Sequence, residues 1–290
     1  MSINSADACM RYPLKRQQRH IQSFIGRNAW VLIIIFVCSI IIAAYLLSPL
    51  MFRAGVSISE NIAFALDPSA ERAFEYGERH FNGEDTSMYD VRRASKFFQK
   101  AAALDPDLLY ANHELARIAF LHADFGAALG YINVQIALHG EETPNSYYVR
   151  GLIEGYMGDY ASAAEDYEKF LKVVPYNWAA INDYAWVLLK AERFEEAARA
   201  TEEGLKYFPE NPWLLNSSAI ALYEIGDIEK AHERVQKAWA HVQSVSKEEW
   251  LHSYPGNDPA IAETGIATFR AAVEDNMHRI EVAVASSTVQ

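Results

Sequence analysis

The chain has 290 residues, 51% hydrophobic and 22% charged, with 10 prolines and 14 glycines, which excludes a disordered or low-complexity chain and supplies material for a sizeable core. Its net charge of −12 is unevenly placed: residues 1–27 carry Arg11, Lys15, Arg16, Arg19 and Arg27 against Asp7 alone, while residues 54–290 carry 20 Lys/Arg against 37 Asp/Glu. An acidic body repels phosphate backbones, so nucleic acid is not an expected partner.

The basic head, residues 1–28, is followed by AWVLIIIFVCSIIIAAYLLSPLMF at 29–52, with no charge between Arg27 and Arg53. A membrane-spanning helix needs about 20 apolar residues, and this run reads as one transmembrane helix set in a lipid bilayer. It is too long for a cleaved signal peptide, and Ser48-Pro49-Leu50 is no cleavage site. With Lys/Arg concentrated before the span, the expected topology is a single-pass membrane protein with a cytoplasmic N-terminus and an extracytoplasmic body, periplasmic if the membrane is a bacterial inner membrane. Trp30 and Tyr45 stand near the ends of the run as interfacial anchors do. The small residues Ser39/Ala43 and Ala44/Ser48 are compatible with homo-oligomerisation. Cys9 and Cys38 are the cysteines, so no disulfide or cysteine zinc site is expected in the body. Residues 53–69 read as a linker.

From residue 70 the sequence repeats. Pro175 and Pro209 lie 34 residues apart, as do Gly151, Ala185 and Ala219, then Tyr160, Phe194 and Ile228, then Ala163, Ala197 and Ala231. One extra residue brings Ala116, Phe125 and Ala128 into the same columns. Each unit reads as a helix with a small residue, a turn such as Met157-Gly158-Asp159, and a second helix ended near a proline. Small residues let paired helices approach while large ones fill the neighbouring grooves. This pattern resembles the tetratricopeptide repeat, and the implied fold is all-α, a tetratricopeptide-type helical-hairpin solenoid preceded by one transmembrane helix. Five units are expected over 70–245: 70–108, 109–143, 144–177, 178–211 and 212–245. The first carries an acidic insertion at 82–90. The second departs from the pattern, with Gln135 at a small-residue position and Gly140 replacing the closing proline.

Residues 246–290 are expected to form a loop and a capping helix starting at Asp258-Pro259, with Ile261, Gly265, Phe269, Val273, Met277 and Ile280 as its apolar stripe. The cap covers the last repeat, or serves dimerisation.

The resemblance implies a concave groove lined by the first helices, where relatives bind an extended peptide or a partner helix of another protein. Helical spacing places Tyr110, His113, Arg117, Tyr148, Tyr156, Asn182, Trp186, Trp213, Asn216 and Tyr223 there, with Phe120, Leu152 and Lys190 beside them. Asn182 and Asn216 occupy equivalent places, and an amide both donates to and accepts from a peptide backbone. The aromatics offer large amphipathic contact area. Packing between repeats is the alternative role for these side chains. Glu114, Val149 and Asp183 stand where carboxylate-clamping members of the family carry positive charge, which argues against that subtype. No phosphate loop, nucleophile elbow or paired-histidine zinc motif occurs, so no catalytic residue, metal or cofactor is expected. Asn216-Ser217-Ser218 spells a glycosylation site inside an expected helix, which argues against its use. The functional expectation is a membrane-anchored scaffold or adaptor for other proteins, with a permanent structural subunit of a membrane complex as the alternative.

Overall fold

The computed structural model describes residues 6–81, 87–253 and 259–287, and among these every element is helical. The chain divides into two compact units, Met1–Asn61 and Ile62–Gln290.

Among the described residues, the first unit lies within helix α1 (Ala6–Leu66). Its stretch Ile33–Leu66 is long and apolar enough to cross a membrane, with a mean hydropathy of 2.6 in its most apolar window. The side chains from Ile33 to Phe52 are exposed. Pro49 has no N–H to give the carbonyl of Tyr45, and Ser48 Oγ donates to that carbonyl instead at 2.8 Å. This is how a proline is tolerated inside an apolar helix. The expected linker at 53–69 is helical as far as Leu66, because nothing breaks the helix until Asp67, held out of the helical region by Pro68.

The second unit is built of five helical hairpins among the described residues. They are α2 (Ala70–Phe81) with α3 (Val91–Leu104), α4 (Ala111–Leu121) with α5 (Phe125–His139), α6 (Pro144–Met157) with α7 (Tyr160–Val173), α8 (Trp178–Lys190) with α9 (Phe194–Tyr207), and α10 (Pro212–Glu224) with α11 (Ile228–Val242). The columns of the repeat explain the packing. Ala116, Ala163, Ala185, Ala197, Ala219 and Ala231 are fully buried where the helices of a hairpin meet, and Tyr167, Ile153, Leu188 and Leu214 fill the space between repeats.

The turns repeat as strictly as the helices. Ala123, Gly158, Glu192 and Gly226 all have left-handed backbones, with φ of 56°, 87°, 57° and 86°. Asp124, Asp159 and Asp227 follow three of them and cap the second helix, each accepting from a backbone N–H three residues on. Arg193 takes that place in the fourth repeat and gives no side-chain cap. Between repeats, Asn177 and Asn211 cap α8 and α10 through the amides of Ala180 and Leu214. Asp90, the last residue of the acidic insertion, caps α3 at Arg93; Glu84 and Asp85 lie outside the described residues.

After α11 the chain forms α12 (Lys247–Ser253), a single tight turn at Pro259–Ile261, and α13 (Ala262–Ser287). Asp258, the expected cap, and Pro255-Gly256-Asn257 lie outside the described residues, as do residues 288–290 of the expected frayed end. Helix α13 takes the position a sixth repeat's first helix would have. Ile280 packs with Ala219, Ala231 and Val235, and Ala262, Ile266 and Val273 pack with Leu214, Ala238 and Val242. Arg270 donates to the carbonyls of Val242, Gln243 and Val245, closing the end of α11. Gly265 permits the tight α12–α13 contact: a Cβ there would stand 2.2 Å from the Trp250 ring.

Candidate partner-binding groove

The first helices α2, α4 and α6, the start of α8, and the α12–α13 segment enclose a cavity of about 1100 Å³. This is an end-walled groove rather than an open channel. Its far wall is an aromatic column in which Trp178 lies 5.0 Å from Trp213, and Trp213 stacks on Phe269 of α13 at 4.8 Å and 5°.

Six of the ten expected groove residues line this cavity: Tyr110, His113, Arg117, Tyr148, Tyr156 and Trp213. Tyr156 is the most accessible of them at 59% exposure. It packs edge-on to Phe120 at 5.1 Å and tilts against Trp186 at 5.5 Å. Trp186 fits against Gly155 on the preceding repeat and does not reach the cavity.

The other three are engaged elsewhere. Asn182 is buried and accepts a hydrogen bond from Ser217 Oγ at 2.8 Å. Asn216 accepts from Asn276 of α13 at 3.0 Å. Tyr223 lies under the Arg279 guanidinium at 4.6 Å. The side-chain oxygens of the paired asparagines therefore bond the next helix of the stack. They belong to a ladder that climbs the stack: His113 to Ser146 at 3.1 Å, Tyr148 to Asp183 at 2.8 Å, Asn182 to Ser217, and Asn216 to Asn276. The partners are 33 to 35 residues apart in the first three rungs, one repeat in each case. The 60-residue separation in the last reflects α13 replacing a sixth repeat. Ser217 and Ser218 are buried in α10, so the glycosylation sequence is inaccessible in the folded domain.

Burial sets the electrostatics. The His113 imidazole is pushed down to about 3 by burial and then by Arg117, so it is neutral at physiological pH. Burial drives the Asp183 carboxyl up to about 6, against the hydrogen bonds from Tyr148 and Asn182 that favour its charge. Glu114 is raised by burial, although Arg117 bridges it at 2.7 Å. Glu78 is raised by burial, then by the like charges of Glu114 and Glu75. Among the described residues no group of His, Cys, Asp and Glu converges as a metal set.

Sequence reasoning missed three groups of lining residues. Phe74, Glu78 and Phe81 of α2 face the cavity, one repeat before His113, Arg117 and Phe120; the same columns extended backward find them. Tyr176 comes from the turn between repeats and Trp178 from the first residue of α8. Thr264, Thr268 and Phe269 come from α13, and no repeat signal marks them because that helix follows a break in the period.

Residues 148–212 and 188–247 match two family models of the tetratricopeptide repeat. No curated protein matches the sequence. Solved structures of the same architecture include a tetratricopeptide repeat protein from Parabacteroides merdae ATCC 43184, with a TM-score of 0.55 and 14% identity over 84% of this chain and 98% of that one. YrrB, a TPR protein with an unusual peptide-binding site, gives 0.52 and 14% over 71% and 97%. A double mutant of MamA RS-1 gives 0.54 and 14% over 60% and 95%. At these identities the likeness is one of fold, and the chain carries tetratricopeptide repeats in a helical-hairpin solenoid.

Proposed function

We propose that this chain is a membrane-anchored adaptor that captures a segment of another protein in the end-walled groove of its repeat domain. The observation that carries the reading is the cavity of about 1100 Å³ lined by aromatic side chains from first helices of successive repeats. Its volume stands at the upper end of the ~300–1,000 Å³ of typical small-molecule pockets and has room for a peptide segment. Rigid aromatics give contact area at low entropic cost. YrrB, which shares the fold, has a peptide-binding site.

The domain order follows the sequence: a basic head at 1–28, a span at 29–52, the repeats at 70–245 and the cap at 246–290. The exposed apolar side chains of α1 from Ile33 to Phe52 suit lipid, and the Lys/Arg bias places the head in the cytoplasm and the repeats outside. Tethering raises the domain's effective concentration toward membrane-bound partners. Protease added to spheroplasts should digest the repeat domain and spare the head; the opposite pattern would reverse the topology.

The groove is tested by a photo-crosslinking residue at Tyr156, the exposed lining position, with Val134 on the outer face of α5 as control. Adducts from Tyr156 and none from Val134 support groove capture. Adducts from Val134 alone would favour a permanent structural subunit that packs through its convex face, where Val134 and Leu138 are 47% and 46% exposed.

A further inference from the structure

The charges in the groove are confined to one end. On the α2–α4 side it carries Glu78, Glu114 and Arg117, with His113 beside them. Its remaining wall, from Phe120 and Leu152 to Trp213 and Phe269, presents no charged side chain among the lining residues.

These charges do not balance. Arg117 pairs with Glu114 at 2.7 Å and covers the Phe81 ring at 4.8 Å, so its one charge is held chiefly by Glu114. His113 is buried, hydrogen-bonded to Ser146 and neutral. The Glu78 carboxylate has no ion pair or hydrogen bond among the described residues; burial raises it most, the like charges of Glu114 and Glu75 add to that, and Arg117 offsets them only in part. Phe74 and Tyr110 line the same cavity, and aromatic faces attract cations. The groove is thus apolar over most of its length and short of one positive charge at its α2 end.

We propose that the groove recognises a peptide segment carrying one lysine or arginine flanked by apolar residues, the cation seated between Glu78 and Glu114 and the apolar side chains running toward Trp213. This rests on reading the groove as the partner site and names the chemistry of its occupant. The acidic body, 20 Lys/Arg against 37 Asp/Glu over residues 54–290, steers such a segment in. An acidic segment would place a second unpaired carboxylate beside Glu78 and is rejected.

The test is selection of a random heptapeptide display library against the full chain in nanodiscs, followed by anisotropy titration of the selected peptides. Selected peptides should share one Lys or Arg at fixed spacing from apolar residues. Their affinity should fall about tenfold in Glu78→Gln, a 1.4 kcal/mol loss, and more in Glu78→Lys. Glu78→Lys should in turn bind the same peptides with Glu at the basic position. Glu78 is solvent-accessible on α2, so neither substitution places a new side chain in the core. Peptides that lose binding in Tyr156→Ala yet show no basic enrichment, or bind Glu78→Gln unchanged, would overturn the cation site and leave the groove reading standing. Peptides indifferent to both Tyr156 and Glu78 would overturn both.

Discussion

Asp183 shows how one residue's surroundings set its chemistry. Its carboxyl is buried, accepts from Tyr148 and Asn182, and titrates near 6 instead of the ordinary 3.8. A raised carboxyl pKa means the folded state holds its proton more tightly than the unfolded chain does. The contribution to stability is therefore complete below pH ~4 and lost as the pH rises through ~6, a change of about 3 kcal/mol at 1.36 kcal/mol per unit. Asp183→Asn keeps an acceptor for the Tyr148 hydroxyl and removes the charge. Urea titration should find it more stable than the parent by ~1–3 kcal/mol at pH 8, with the gain vanishing at pH 4; a gain equal at both values would show that charge is not the cause. Backbone strain offers a second prediction at this scale. Glu192 sits at φ 57° where its counterparts Gly158 and Gly226 are glycine. Left-handed backbone costs a side-chain-bearing residue roughly 1–2 kcal/mol, so Glu192→Gly should raise stability by ~0.5–1 kcal/mol and Gly158→Ala should lower it by about 1, both read from denaturant midpoints.

Among the elements, α9 begins without a cap because Arg193 stands where Asp124, Asp159 and Asp227 cap the other second helices. Arg193→Asp should gain ~0.5–1 kcal/mol from the new cap, less the exposed Arg193–Glu196 pair, which contributes little; unchanged stability would show that the fourth repeat closes by packing alone. The contact of α12 with α13 depends on Gly265, and Gly265→Val should displace Trp250, shift its fluorescence to the red and cost ~1–3 kcal/mol. Much of this level is legible in the sequence. The 34-residue columns of Gly151, Ala185 and Ala219 mark the hairpins that form α6 to α11, because a period written in small residues is a direct record of helix contact. What helical spacing cannot show is which neighbour a groove-side polar group will meet. Asn182 and Asn216 have the spacing of ligand-reading residues, yet the pitch of the stack brings Ser217 and Asn276 within hydrogen-bond reach first. For the same reason Phe74 and Glu78 were recoverable by extending the columns, while Phe269 was not.

Across the whole repeat domain, stability is shared between neighbours, since each hairpin completes its core against the next. Removing α13 with a stop after residue 258 should strip amide-exchange protection from α10 and α11 while α4 to α7 stay protected; loss everywhere at once would mean the stack unfolds as one body. The cap also has a consequence for assembly. A solenoid ends in the same kind of surface it uses to stack, so a bare terminus is a template for another copy. Here α13 occupies the last such surface, with Asn276 satisfying Asn216 and Ile280 filling the space beside Ala219 and Ala231. At the other terminus Phe64 lies over Phe97, 6.3 Å away. Among the described residues, the face on which head-to-tail growth would dock is covered by α13. A further repeat, whether from this chain or from another copy, would have to displace α13 before it could stack on α10 and α11.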